Sequence, residues 1–173
     1  MARSTIKKHL ASGKAEYPPV RNPVFKEKRG VFVTLHRRGD LRGCIGYPLP
    51  YKPLWEAVID NAIAACSQDP RFPAVTMKEL PELEIEISVL TVPQAVSGHD
   101  QVKLGRDGII ISKGFQRGLL LPQVPLEQGW DLEQYISYGC LKAGLDRDEW
   151  KRGVKIETFQ AQVFGEKEAA ETS

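Results

Sequence analysis

The cleanest alternation of apolar and polar positions runs over residues 81–91. Leu83, Ile85, Ile87 and Val89 fall on one face, and Glu84, Glu86 and Ser88 on the other, the two-residue period of a half-buried strand. Residues 30–36 read as another strand. The turn Arg37-Arg38-Gly39-Asp40 leads from it into a third that begins at Leu41. Two apolar runs joined by a short Gly-containing loop predict a β-hairpin. The period then changes. After a Pro-rich bend over 47–53, Leu54, Val58, Ala62 and Ala65 form one stripe, widened by Trp55, Ile59, Ile63 and Cys66. So broad an apolar surface predicts a helix packed deeply against the sheet, with Pro53 in its first turn. Upstream, residues 3–11 predict a short amphipathic helix ended near Gly13, with Ile6 and Leu10 as its apolar pair. Residues 17–23, with three prolines, link it to the hairpin.

Beyond Thr91 the pattern is more broken. Residues 93–98 read as a loop and His99 as solvated. Asp107-Gly108 opens a second hairpin, 109–112 against 118–121, ended by Pro122 and Pro125. Asp131 suits the N-cap of a helix running to about Ala143 and stopped at Gly144. A helical turn over 146–150 and one closing strand over 154–164 follow. The charged tail, 166–173, is expected to be disordered. This order argues against a doubly wound parallel sheet. It predicts an α+β fold with a mainly antiparallel sheet and flanking helices, as one domain over 1–165.

Composition narrows the class without choosing a reaction. At 173 residues, 42% hydrophobic and 27% charged, the chain can bury a full core. A net charge of +2 lends nucleic acid no support as a partner, although Arg37, Arg38, Arg42 and Arg71 offer local positive charge. Cys44, Cys66 and Cys140 are odd in number and far apart. They suggest neither a disulfide framework nor a zinc site and point to a reducing, cytoplasmic setting. Lys7, Lys8 and His9 break the N-terminal segment, which reads as neither signal peptide nor membrane span. No P-loop, dinucleotide fingerprint or His-Glu-x-x-His occurs. The three histidines lack metal-site spacing, and no cofactor is indicated.

The chemistry concentrates at Leu41-Arg42-Gly43-Cys44-Ile45-Gly46. Strict alternation puts Arg42 and Cys44 on one face, where a guanidinium favours the thiolate. Gly43 and Gly46 strip bulk from around the thiol and open room for a substrate. The plainer alternative is a small buried Cys with glycines needed for packing. Asp69-Pro70-Arg71-Phe72-Pro73 is a fixed loop. Asp69 and Arg71 either cap and anchor it or set a carboxylate and a cation at the rim of a site. Glu86, with Glu84, either lines a solvated face or supplies acid and base. No histidine is placed as an obvious base. His36 is the nearest in sequence and meets Cys44 only in some hairpin registers.

The intact hexapeptide at 41–46 resembles the hallmark of the AMMECR-domain family. Similar blocks recur in the family order: Gly30 to Leu35, Asp69-Pro70-Arg71-Phe72-Pro73, Ile85 to Thr91, Gly118 to Val124, Gly129-Trp130 and Lys142-Ala143-Gly144-Leu145. The resemblance implies two unequal α+β lobes around an antiparallel sheet. It implies a hexapeptide suspected of function, with no reaction attached. It also implies company with Memo-like and radical-SAM proteins in a pathway that modifies some substrate. Two functions follow: an enzyme or enzyme subunit using Cys44, Arg42 and Glu86, with Gly43, Gly46, Asp69 and Arg71 at the substrate, or a non-catalytic module binding protein or nucleic acid.

Overall fold

The structure, a computed structural model, describes residues 1–166. Its elements run α1 (Ala2–Ser12), β1 (Gly30–Arg37), β2 (Asp40–Tyr47), α2 (Leu54–Ser67), β3 (Leu83–Leu90), β4 (Gln94–Val96), β5 (Gly108–Lys113), β6 (Gln116–Leu120), α3 (Val124–Gln128), α4 (Leu132–Lys142), β7 (Lys155–Phe159) and β8 (Ala161–Gly165). The architecture is α+β with two four-stranded sheets, ordered β2-β1-β3-β8 and β4-β7-β5-β6. The chain divides into one unit made of residues 1–90 with the segment from 162, and a second of 91–161.

In the first unit β1 pairs antiparallel with β2 on one side and β3 on the other. The hairpin needs only two loop residues. Arg38 and Gly39 both take positive φ, 55° and 89°, the turn whose twist matches its flanking strands. Val31, Val33 and Leu35 of β1, with Leu83 and Ile85 of β3, pack on Ala57, Val58, Ala62, Ala65 and Cys66 of α2. That is the face the alternation of β3 predicts. Pro53 is the N-cap of α2 rather than part of its first turn.

The first helix packs despite its polar composition. Ile6 is fully buried and Leu10 lies against the same core. Gly13 closes α1 in the left-handed region, φ 69°. Arg3 then fastens three segments. It donates to the carbonyls of Leu80 (2.8 Å) and Leu83 (2.5 Å) and to the Glu166 carboxylate at 2.8 Å. Glu166 also accepts the Ile85 N–H at 3.1 Å. The first residue of the charged tail is thus held on the sheet, and the rest of that expected tail lies outside the described residues.

In the second unit Ile109 and Ile111 of β5 pack against Tyr135, Ile136 and Cys140 of α4 and Ile156 of β7. Asp131 and Gln134 form a reciprocal capping box at the start of α4. The buried Tyr135 hydroxyl lies 3.1–3.2 Å from the carbonyls of Asp107, Leu120 and Leu121, and burial pushes its ionisation well up.

Several expectations fail here. Residues 94–96 form a strand rather than a loop, because β7 supplies a partner that three residues cannot reveal in sequence. Residues 124–128 form an unforeseen short helix, with Pro125 in its first turn and Gly129 closing it at φ 66°. His99 is part-exposed rather than freely solvated, its ring edge-on to Trp150 at 4.6 Å. The closing strand is two strands in two sheets, divided at Gln160. There Thr91 N–H donates to Gln160 O, and Gln160 N–H to Thr91 Oγ1, each at 2.9 Å.

Candidate functional site

The register of three adjacent strands builds the site. Cys44 on β2 lies opposite Thr34 on β1, and Thr34 opposite Glu86 on β3. The three therefore form one row across the sheet, on the face turned away from α2. Thr34 Oγ1 is 3.2 Å from Cys44 Sγ. Strand spacing of about 4.8 Å puts Glu86 two strands, roughly 10 Å, from the thiol backbone. The next row carries Leu41, His36 and Glu84. Beside it, His36, Glu84, Glu86, Val163, Gly165 and Glu166 line a cavity of about 170 Å³.

Asp69 and Arg71 are brought to Cys44 itself. The Asp69 carboxylate accepts the Cys44 N–H at 2.8 Å and two guanidinium bonds from Arg71, at 2.7 and 3.0 Å. Arg71 also donates to the Cys44 carbonyl at 3.2 Å. β2 is an edge strand, so both outward backbone groups of Cys44 are taken by one side-chain pair. The Arg71 guanidinium beside Asp69 holds that carboxyl well below its usual range against the opposing effect of burial. Asp69 in turn favours the charged form of Arg71. Asp69 does not cap α2, whose C-cap is Gln68.

Arg42 is placed elsewhere. Leu35 pairs with Gly43 and His36 with Leu41, so Arg42 is an extra residue at a bulge with no partner on β1. The strict alternation that would set it beside Cys44 is broken. Its guanidinium donates to Glu79 at 2.9 Å and to the carbonyls of Pro73 (2.8 Å) and Ala74 (3.4 Å). Arg42, with two bonds from Thr76, pulls the Glu79 carboxyl down to about 2. Arg37 joins the same carboxylate and bonds Glu82, which Arg38 also meets. The arginines of the hairpin thus form an ion-pair network.

The glycines serve the backbone more than the thiol. A Cβ on Gly43 would collide with the Ala65 carbonyl of α2, on the face opposite Cys44. A Cβ on Gly46 would strike Val31 O and the Phe32 ring. Cys66 and Cys140 are buried in the two cores, where burial pushes their thiols up. Cys44 alone of the three is part-exposed. Thr34 and Glu79 escaped the sequence reading. Counting back from a two-residue turn at Arg38-Gly39 puts Val33 opposite Cys44, and only the bulge at Arg42 brings Thr34 there, whereas nothing local marks Glu79 as the partner of Arg42.

A family profile described as AMMECR1 matches residues 1–164. The chain belongs to the AMMECR1 family. It is 50% identical to Protein MJ0810 of Methanocaldococcus jannaschii, over 96% of this chain and 87% of that one. It is 47% identical to Protein MK0488 of Methanopyrus kandleri, over 97% and 86%. The crystal structure of the uncharacterized protein PH0010 from Pyrococcus horikoshii superposes with a TM-score of 0.80 at 46% identity, covering 95% of this chain and 87% of that one. Among the described residues of this AMMECR1 chain, no helix is long and apolar enough to cross a membrane. None of their His, Cys, Asp and Glu side chains gather in a group of three or more suited to a metal ion.

Proposed function

We propose that this AMMECR1 protein is an enzyme or enzyme subunit in which Cys44 is the nucleophile, acting in the cytoplasm on an electrophilic substrate. One observation carries the reading. Cys44 is the part-exposed cysteine, its sulfur meets a hydroxyl, and both its backbone groups are gripped by Asp69 and Arg71. A nucleophile must be held still as well as exposed. Arg71, rather than Arg42, is the cation suited to an anionic substrate group, because its side chain is 54% exposed and that of Arg42 only 13%. Asp69 positions the thiol residue and Glu86 closes the row as acid or base. Gly43 and Gly46 let α2 and Phe32 approach, which shapes the strand that presents the thiol.

The family resemblance supports a place beside Memo-like and radical-SAM partners in a modification pathway. The alternative is a non-catalytic module binding protein or nucleic acid, and its nucleic-acid version draws little from the hairpin arginines. Arg37, Arg38 and Arg42 already face Glu79 and Glu82. The test is residue-resolved alkylation of the folded protein with iodoacetamide near neutral pH. Cys44 should react well ahead of Cys66 and Cys140. A Cys44 as inert as the other two would overturn the reading.

A further inference from the structure

A nucleophilic thiol needs somewhere to send its proton, and no histidine shares the row of Cys44. His36 stands one row along, opposite Leu41 and Glu84. The row itself holds Thr34, 3.2 Å from Sγ, and Glu86 directly across the next pairing. Opposed residues on antiparallel strands have Cβ atoms about 4.5–5.5 Å apart. A glutamate side chain spans that gap to a threonine hydroxyl by rotating about its own χ angles. All three side chains are only part-exposed, so the path is partly screened from water.

We infer that Thr34 is a positioning residue that relays the Cys44 proton to Glu86. The inference rests on Cys44 being a nucleophile. In the step the S–H bond breaks and its proton passes to Thr34 Oγ1. The proton of the Thr34 hydroxyl passes to a carboxylate oxygen of Glu86. The S–H electron pair forms the bond from sulfur to the electrophile, and the electrophile's own broken bond leaves its pair on the leaving group (iodide from iodoacetamide). Threonine is unchanged, Glu86 ends as a neutral carboxylic acid, and no external oxidant or reductant is needed. A carboxylate is a far weaker base than a thiolate. The transfer therefore completes only as sulfur bonds to its electrophile, and Glu86 acts as general base during attack. The charged groups around the thiol from neighbouring elements are Asp69 and Arg71, from the loop after α2, and Glu86 on β3. Thr34 is β-branched and half-buried, so valine replaces it with little change of shape.

The experiment is the pH profile of Cys44 alkylation by iodoacetamide in wild type, Thr34→Val, Thr34→Ser and Glu86→Gln, with far-UV circular dichroism as a check on folding. General-base assistance shows below the ordinary thiol value, at about pH 6, where little thiolate exists in advance. There Thr34→Val and Glu86→Gln should be slower than wild type by about tenfold or more, and Thr34→Ser should react as wild type does. Well above the ordinary thiol range a base is no longer needed for attack, and all four should converge. Wild-type rates at pH 6 in either Thr34→Val or Glu86→Gln overturn the relay but leave Cys44 a nucleophile. So does a deficit that persists at high pH or a Thr34→Ser that fails to rescue, since either marks a merely structural role. An inert Cys44 in the wild type overturns the proposed function itself.

Discussion

The Asp69 carboxylate, with its side chain only 2% exposed, accepts the backbone N–H of Cys44 at 2.8 Å. A residue of the loop after α2 thereby fixes the residue at the centre of the β2 edge. Asp69→Ala would orphan that N–H and strip Arg71 of its partner. The expected loss is about 2 kcal/mol of folding stability, the cost of an unpaired donor once bonded to a charged group. Urea denaturation measures it, and a loss below about 0.5 kcal/mol would show that the contact holds nothing in place.

Acid should act through the same contacts. Arg42 holds Glu79 at about 2 against an ordinary 4.5, and Arg71 keeps Asp69 below its own ordinary value. Both folded-state values are depressed, so both contributions are complete above the unfolded values and drain away as pH falls through the folded ones. For Glu79 the loss should begin near pH 4.5 and continue toward pH 2, with that of Asp69 extending further into acid. Glu79→Gln should flatten the first part of this slope in denaturation curves run at successive pH values. An unchanged slope would exclude the Arg42–Glu79 pair as its source.

Gly43 faces the Ala65 carbonyl with no room for a methyl group. Gly43→Ala should cost about 1–3 kcal/mol, the usual price of overpacking, because backbone rather than a flexible side chain must yield. The midpoint of thermal unfolding reports it. A neutral result would mean that α2 shifts freely on the sheet.

Ile6 offers the complementary test. It is fully buried at the α1 contact with the core. Ile6→Ala should cost about 2–5 kcal/mol in urea denaturation. A loss within about 0.5 kcal/mol would mean that α1 is only loosely attached.

The elements legible in sequence were those with a long, regular period. The alternation of β3 and the broad stripe of α2 identify the faces that meet in the core. The hexapeptide was legible as a strand, but not its bulge. A bulge is a relation between two strands, and it moved Arg42 from the thiol to Glu79. Thr34 was hidden for a related reason, since its importance lies wholly in what stands opposite. β4 escaped because three residues carry no period, and the β7–β8 break because Gln160 resembles any polar strand residue. The groups that bond Cys44 come from the proline-flanked loop after α2. Proline spacing shows that Asp69 and Arg71 are held, but not which backbone they hold.

The stitch between Thr91 and Gln160 bears on how the chain assembles. β3 and β8 are hydrogen-bonded neighbours, yet nearly the whole second unit intervenes between them in sequence. Closing so long a loop from an unfolded chain is entropically costly and slow. Once residues 91–161 have folded, their two ends are already joined, and the insertion behaves toward the sheet like a tight turn. The second unit thus acts as an internal template. Its completion converts the most distant strand pairing of the first unit, β3 with β8, into a local one.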